Sequence, residues 1–147
     1  MPAYSHTLEV DAPQSEVFAI LEDVERTPQW LDRCTRIDKL SEGPLTLGTQ
    51  LKYHYRDGRR TGEMAGHVTA HEPDRHVAMR YSDKLMDVTV DFVTDPGSGS
   101  AGTRLTHRID IQGKGIGKVF SPLIRRQLPG QTIGAMEKLK TLAESRS

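Results

Sequence analysis

The chain has 147 residues, and its 20 Lys plus Arg balance its 20 Asp plus Glu, so the formal net charge is zero. It lacks the basic excess that is typical of proteins that bind nucleic acid. A single cysteine excludes an intrachain disulfide. Since neither a signal-peptide pattern nor an apolar stretch of membrane-spanning length is visible, we expect a cytoplasmic protein with one domain over residues 1–147.

The N-terminal part predicts a strand and then a short helix. Residues 3–11 alternate between apolar and polar side chains, as in a half-buried strand. Pro13 suits the start of a helix, because its fixed φ and missing N–H cost nothing in the first turn. Val17, Phe18 and Leu21 then fall three and four residues apart, on one helix face.

A second short helix is predicted to begin at Thr27-Pro28, which are read as an N-cap and a first-turn proline. It carries Trp30, the only tryptophan. This side chain could gate a cavity or could fasten the short helix to the edge of a sheet, and the packing role is the preferred interpretation. The lone Cys34 has no activating neighbour in the sequence and is assigned a structural role.

Six further strands follow from two-residue alternation. They are predicted over residues 33–40, 49–55, 61–71, 77–81, 86–92 and 105–111. Asp57-Gly58 is a hairpin signal between the third and fourth strands. Because each strand is amphipathic and hairpins join the neighbours, the sequence predicts an antiparallel sheet with one wet face.

The C-terminal third changes from a period of two to about 3.6, which predicts a long helix after the glycine-rich segment 113–117. Pro129 predicts a kink or a division into two helical pieces. The apolar stripe comprises Ile116, Val119, Phe120, Leu123, Ile124, Ile133, Met136, Leu139 and Leu142. A curved sheet of about seven strands wrapped over this helix is an α+β architecture.

Several short motifs, taken in order, resemble the START-like (SRPBCC) superfamily with its helix-grip fold. They are Ala12-Pro13, Val17-Phe18, Leu21, Asp23, Pro28-Gln29-Trp30-Leu31, Gly48-Thr49 and Gly102-Thr103-Arg104-Leu105. The polyketide cyclase/dehydrase and coenzyme Q-binding branches are the most similar. The resemblance implies a deep cavity between sheet and C-terminal helix that takes an apolar small molecule, and it implies no particular reaction.

Inward parity and the helical stripe together predict the side chains that line this cavity. They are Tyr53, Tyr55, Met64, Val68, Met79, Tyr81, Met86, Val88, Val90, His107, Ile109, Phe120, Leu123, Ile124 and Met136. His107, with Tyr53 or Tyr55, is the candidate for proton transfer, although a neutral core histidine is the preferred interpretation of His107. His6 is also inward, on a strand expected beside that of His107, so the two could share a site.

We expect no metal and no cofactor. His67, His71 and His76 take outer-face parity, and strand positions four apart are separated by about 13 Å, too far for one metal ion. The segment 113–118 lacks residues that a Walker loop or a dinucleotide-binding loop requires.

Three functions remain open at this point. The first is a binding module for a lipid, a quinone or a polyketide-like ring. The second is a cyclase or dehydratase that uses the inward His and Tyr side chains. The third is a protein-interaction module without a ligand. The sequence leaves the oligomeric state open.

Overall fold

Seven strands form one antiparallel sheet in the computed structural model, which describes residues 3–57, 59–97 and 102–145. The strands are β1 (Ala3–Val10), β2 (Cys34–Lys39), β3 (Gln50–Asp57), β4 (Arg60–Glu72), β5 (His76–Ser82), β6 (Met86–Pro96) and β7 (Thr103–Gly113). Their order across the sheet is β1-β7-β6-β5-β4-β3-β2. The predicted Asp57-Gly58 hairpin joins β3 to β4, with Asp57 opposite Arg60, while Gly58 itself lies outside the described residues.

The helices complete the predicted helix-grip order, and the α+β fold class is confirmed. They are α1 (Gln14–Glu22), a 3-10 helix over Val24–Gln29, a second 3-10 helix over Gly115–Phe120, and α2 (Ser121–Ser145). The prediction for the second short helix was wrong at both ends. That helix begins at Val24 and ends before Trp30, so Thr27 and Pro28 lie inside it.

Pro129 does not divide the C-terminal helix, which runs without a break from Ser121 to Ser145. A proline removes one backbone hydrogen bond and crowds the preceding turn, at a cost of about 3 kcal/mol. Burial of Met136, Leu139 and Ala143 in the core offsets this cost and holds the helix beyond the proline. No helix among the described residues is long and apolar enough to cross a membrane.

A bulge in β4 changes which side chains face inward. The pairing of β4 with β5 shifts between Val68 and Ala70, and one extra residue moves all later side chains to the opposite face. His71 therefore faces inward, and the prediction that it faces outward was wrong. Its Nε2 lies 2.7 Å from a carboxylate oxygen of Glu22 in α1, and its ring is 5.9 Å from that of Phe18.

The helix α1 closes one end of the curved sheet. It buries Val17, Phe18, Ile20 and Leu21 against the strands. The Gln14 amide donates to the backbone carbonyl of Thr94 at 3.1 Å and to that of Asp74 at 3.3 Å. Since buried polar groups need partners, these bonds fix where α1 meets the sheet.

The helix α2 packs against one side of the sheet, on β1 and β7, and against α1. The Lys138 ammonium forms an ion pair with Asp32, and Glu144 accepts a hydrogen bond from the backbone N–H of Asp11 at 2.9 Å. No comparable packing of α2 on β3 to β6 occurs within the described part of the chain. The backbone of α2 therefore stands away from the inner face of those strands.

Two glycines in β4 make room for tyrosine rings on neighbouring strands. Gly66 lies opposite Tyr81, and Gly62 lies opposite Tyr55. A Cβ on Gly66 would be 2.3 Å from Cδ1 of Tyr81, and one on Gly62 would be 2.6 Å from Cζ of Tyr55. Because glycine has no side chain, the rings can lie against the sheet instead of standing up from it.

We expect Gly66→Ala to destabilise the fold by about 1–3 kcal/mol, as overpacking does, because its Cβ would also lie 2.7 Å from the carbonyl oxygen of Arg80. Gly134→Ala is the matched control, since nothing lies within 4 Å of its Cβ position in α2. This change should stabilise the helix by about 1 kcal/mol. Denaturant unfolding measures both, and equal effects of the two changes would contradict the packing account.

Candidate functional site

A cavity of about 320 Å³ lies between α2 and the inner face of the sheet. It has the size of a small-molecule site, and its walls are mostly apolar and aromatic. The lining comprises Leu21, Thr27, Trp30, Leu31, Arg33, Ile37, Tyr53, Tyr55, Met64, Met79, Tyr81, Leu85, Met86, Val88, Val90, Phe92, His107, Ile109, Ile111, Gln127, Leu128, Gln131, Thr132 and Ala135.

Most of the side chains assigned to the cavity from strand parity do line it. These are Tyr53, Tyr55, Met64, Met79, Tyr81, Met86, Val88, Val90, His107 and Ile109. Val68 and Met136 do not line it, and both are fully buried in the core beside it. The side chains of Phe120, Leu123 and Ile124 lie outside the described residues.

The sequence missed the face that α2 turns toward the cavity. That face carries Leu128, Gln131, Thr132 and Ala135, at helical spacing beside the main apolar stripe. Small and polar side chains leave space where large ones would fill it. Strand parity also placed Phe92 and Ile111 inward, and both line the cavity although neither was assigned to it.

Three tyrosines form an aromatic wall over β3 and β5. The ring centroids of Tyr53 and Tyr81 are 5.0 Å apart, and those of Tyr53 and Tyr55 are 6.3 Å apart. Burial raises the pKa of Tyr53 and of Tyr81. Burial likewise raises the pKa of the neighbouring Cys34 thiol to about 12, so that group is a poor nucleophile at neutral pH.

A second aromatic cluster lies at the end of the cavity nearest α1, which we call the deep end. Phe92 contacts Trp30 edge-on with centroids 5.9 Å apart, and it stacks on His107 with centroids 4.4 Å apart. Trp30 is only 4% exposed. The predicted packing role of Trp30 is therefore incomplete, because its ring also forms part of the cavity wall.

His107 is held as one neutral tautomer in this wall. Its Nδ1–H donates to the backbone carbonyl oxygen of Asp91 at 3.2 Å, which leaves Nε2 as a hydrogen-bond acceptor. Burial lowers the pKa of His107 from 6.5 to about 4, although the bond to Asp91 opposes this shift. At neutral pH the ring is therefore uncharged, and its Nε2 can accept but not donate a hydrogen bond.

His6 and His107 lie directly opposite each other on β1 and β7, as the predicted strand neighbours should. They do not form a common site in the cavity, because His6 is absent from its lining. The His6 ring instead stacks on Tyr4, with centroids 6.5 Å apart. His107 is therefore the histidine of the cavity wall.

Two buried polar atoms of the cavity wall have no hydrogen-bond partner among the described residues. They are the indole Nε1 of Trp30 and the hydroxyl oxygen of Tyr81. Buried polar groups in native structures almost always have a partner, and an unpaired one costs about 1–3 kcal/mol. Each such group therefore requires an explanation.

The other end of the cavity, the outer end, lies at the turn between β5 and β6. Leu85 and Met86 are only half-buried there, and Gln127 of α2 is exposed. On the β2 side, Arg33 donates to the side-chain oxygen of Gln131 at 3.1 and 3.2 Å when the amide is oriented to satisfy both groups. This link ties the loop before β2 to α2.

No cluster of His, Cys, Asp or Glu side chains that could hold a metal ion occurs within the described ranges.

The family comparison agrees with this architecture over nearly the whole chain. A model of the family described as polyketide cyclase/dehydrase and lipid transport matches residues 1–144. No curated protein sequence matches the chain.

Solved structures share the fold at low sequence identity. A START superfamily protein from Mycobacterium smegmatis has a TM-score of 0.76 and 20% identity, with 99% of each chain covered. The Zhui aromatase/cyclase from Streptomyces sp. R1128 has a TM-score of 0.78 and 16% identity, covering 98% of this chain and 94% of its own. A protein from Thermus thermophilus has a TM-score of 0.79 and 11% identity, with 99% of each chain covered.

The lowered pKa of His107 predicts that the protein loses stability as the pH falls. Between pH 6.5 and about 4 the unfolded chain binds a proton at this histidine and the folded chain does not, so acid favours unfolding. The loss amounts to about 3 kcal/mol over this range. Denaturant unfolding at several pH values measures it.

His107→Gln should remove this part of the pH dependence. His67→Gln, at an exposed histidine on the outer face of β4, is the control and should retain it. If His107→Gln leaves the slope of stability against pH unchanged, the buried neutral histidine is not its source.

Proposed function

The chain belongs to the polyketide cyclase/dehydrase and lipid transport family, and on that premise we propose that its cavity binds an apolar, ring-containing small molecule. The observation that carries this proposal is the cavity itself, about 320 Å³ of space beneath α2 with aromatic and methionine walls. This volume corresponds to roughly ten water molecules. Among the described residues, the inner side chains of the middle strands are not packed against α2. An apolar ligand buried on them therefore gains hydrophobic free energy.

The walls favour a flat ring over a flexible chain. Tyr53, Tyr81, Trp30 and Phe92 present aromatic surfaces on two sides of the cavity. Aromatic pairs gain roughly 0.5–1.5 kcal/mol beyond their buried area, and a rigid ring loses little conformational entropy on binding. A quinone or a polyketide-like ring therefore fits these walls better than an acyl chain.

A cyclase or dehydratase is the second candidate, and the position of His107 in the cavity wall favours it. Proton transfer works best when the pKa of the group is near the working pH. With a pKa of about 4, His107 is a weak base, and almost none of it carries an acidic proton at pH 7. We therefore assign it first to accepting a hydrogen bond from the ligand. The Zhui protein is an aromatase/cyclase, but at 16% identity its likeness to this chain extends to the fold alone.

A protein-interaction module without a ligand is the third candidate and has the least support. The inner face of the sheet encloses a cavity rather than a filled core. An enclosed apolar space suits a small molecule, whereas a protein partner requires a broad accessible surface.

Filling the cavity from α2 should weaken ligand binding without unfolding the protein. Ala135→Phe places a ring in the cavity, and we expect it to weaken binding of trans-stilbene by about tenfold or more, which corresponds to about 1.4 kcal/mol. Calorimetric titration measures the affinity, and quenching of Trp30 fluorescence provides a second readout. Thermal unfolding should stay close to that of the parent protein.

Ala65→Phe is the matched control, because Ala65 is exposed on β4 and does not line the cavity. It should leave stilbene affinity unchanged. Equal affinity of stilbene for the parent and for Ala135→Phe would place the binding site elsewhere.

A further inference from the structure

We infer that Arg33 and Gln131 form a subsite for a carbonyl oxygen, so that the ligand carries a ketone, aldehyde or quinone oxygen rather than a hydroxyl group on the β2 side of the cavity. This inference rests on the proposed binding function and adds a polar group to the ring. Both side chains line the cavity and are half-buried, and neither contributes a buried polar atom without a partner. We call them the Arg33–Gln131 pair.

Hydrogen bonds fix the position of the pair from both sides of the cavity. The backbone carbonyl of Arg33 accepts from the backbone N–H of Arg56 at 2.9 Å, which holds the loop before β2 beside the end of β3. Gln131 projects from α2, and its side-chain oxygen accepts from Nε and one Nη of Arg33 at 3.2 and 3.1 Å. Two bonds from one guanidinium restrict the orientation of the amide as well as its position.

The pair offers hydrogen-bond donors and no acceptor. An amide oxygen has two lone pairs, and the oxygen of Gln131 accepts two bonds from Arg33. The amide nitrogen of Gln131 then points away from the guanidinium and carries two N–H donors. The guanidinium itself has N–H donors only. A carbonyl oxygen beside the pair therefore meets donors, whereas a ligand hydroxyl finds no oxygen of the pair to which it can donate.

The positive charge of Arg33 reaches the aromatic wall of the cavity. Burial raises the pKa of Tyr53, and the nearby Arg33 guanidinium opposes this rise because its charge favours the ionised hydroxyl. Arg33 is the only charged side chain in the described lining, since His107 is neutral at pH 7. A carbonyl group has its negative end at the oxygen, so it is attracted to this charge while the ligand as a whole stays neutral.

The other polar side chains of the lining offer different chemistry. Thr27 and Thr132 carry hydroxyls, which both donate and accept, and Gln127 is exposed at the outer end. The Nε1 of Trp30 and the hydroxyl of Tyr81 are too deeply buried for a ligand atom to reach. Among the described lining residues, the pair alone combines a positive charge with donors only.

A ring that holds its carbonyl at the pair extends over an apolar part of the sheet. β6 lies four strand spacings from β2, which is roughly 19 Å along the curved sheet at about 4.8 Å per spacing. Met79 of β5 and Val88 and Val90 of β6 line the cavity there. A polar group of the ligand has more to lose at these side chains than at the pair. The carbonyl therefore belongs at one end of the ring system.

The test compares 4-formylstilbene, 4-vinylstilbene and 4-(hydroxymethyl)stilbene by calorimetric titration of the full chain. The formyl group ends in a carbonyl oxygen, the vinyl group has nearly the same shape without an acceptor, and the hydroxymethyl group adds a donor. The formyl compound should bind about tenfold more tightly than either of the others, which corresponds to about 1.4 kcal/mol.

Gln131→Glu should reverse this preference. One carboxylate oxygen can keep the bonds to Arg33, while the other replaces the N–H donors with an acceptor. The formyl compound should lose its advantage, and the hydroxymethyl compound should become the tightest of the three. Gln50→Glu is the matched control, because Gln50 is exposed at the start of β3 and does not line the cavity. It adds the same charge and should keep the order of the parent protein.

The double variant Arg33→Met/Gln131→Met provides a second test in which no new charge enters the cavity. It removes every donor of the pair and keeps side chains of similar length. The formyl and vinyl compounds should then bind with equal affinity, and binding of trans-stilbene should be retained. Thermal unfolding of each variant checks that the fold is intact.

Each remaining outcome overturns a defined statement. If the formyl and vinyl compounds bind the parent equally, or if the hydroxymethyl compound matches the formyl compound, the carbonyl subsite is wrong and the proposed binding function stands. If both the Gln131→Glu variant and the double variant keep the order of the parent, the subsite lies elsewhere and the inference is wrong. If neither trans-stilbene nor any of its derivatives binds, both the proposed function and this inference are overturned.

Discussion

The structure depends on one constraint: the single long helix α2 lies over a seven-stranded sheet but packs closely only on the two strands at one edge. α2 rests on β1 and β7, and α1 closes one end. The inner face of the middle strands must remain out of water without a helix against it. Large side chains on the strands supply part of the cover, and the glycines at positions 62 and 66 let tyrosine rings lie flat. The space left beneath α2 is the cavity, and its emptiness follows from the small Thr132 and Ala135 on the helix.

Removal from water also determines the chemistry of the polar groups in the cavity wall. A histidine or tyrosine in this wall is removed from water, so its charged form is penalised and its neutral form persists. His107 is accordingly a neutral ring held in one tautomer, and the hydroxyls of Tyr53 and Tyr81 stay protonated. Such a wall suits a neutral molecule, which is the kind of ligand that we propose. Its described residues include no charged nucleophile and no strong base, which is why binding is the primary proposal and catalysis the secondary one.

Two-residue alternation predicted the strands and most of the cavity wall, because side-chain direction on a strand depends only on local backbone geometry. That the first and last strands are neighbours was implied by the family resemblance. It failed at His71, where the bulge after Val68 adds a residue and reverses the faces. The residues of the bulge itself include no glycine or proline to mark it. Helix limits were less predictable: Thr27 satisfied a capping rule yet lies inside its helix, and Pro129 lies inside α2.

The sequence pattern did not predict the cavity face of α2 for a different reason. Apolar stripes identify the side of a helix that is packed, and Met136 was assigned to the cavity on that basis although it is fully buried in the core. The side that borders a cavity carries a mixture of small and polar residues, such as Gln131, Thr132 and Ala135, which resembles an ordinary surface. Recognising it requires knowing how far the helix stands from the sheet, and that distance follows from tertiary packing on β1 rather than from any local pattern.

The central claim, that a small molecule binds between the sheet and α2, is tested most directly by methionine-methyl NMR. Met64, Met79 and Met86 line the cavity, whereas Met136 is buried beside it without reaching the lining. With carbon-13-labelled methionine methyls and bound trans-stilbene, we expect intermolecular NOEs to the three lining methionines and none to Met136. NOEs to Met136 without NOEs to Met79 and Met86, or saturable binding without an NOE to any lining methionine, would contradict it.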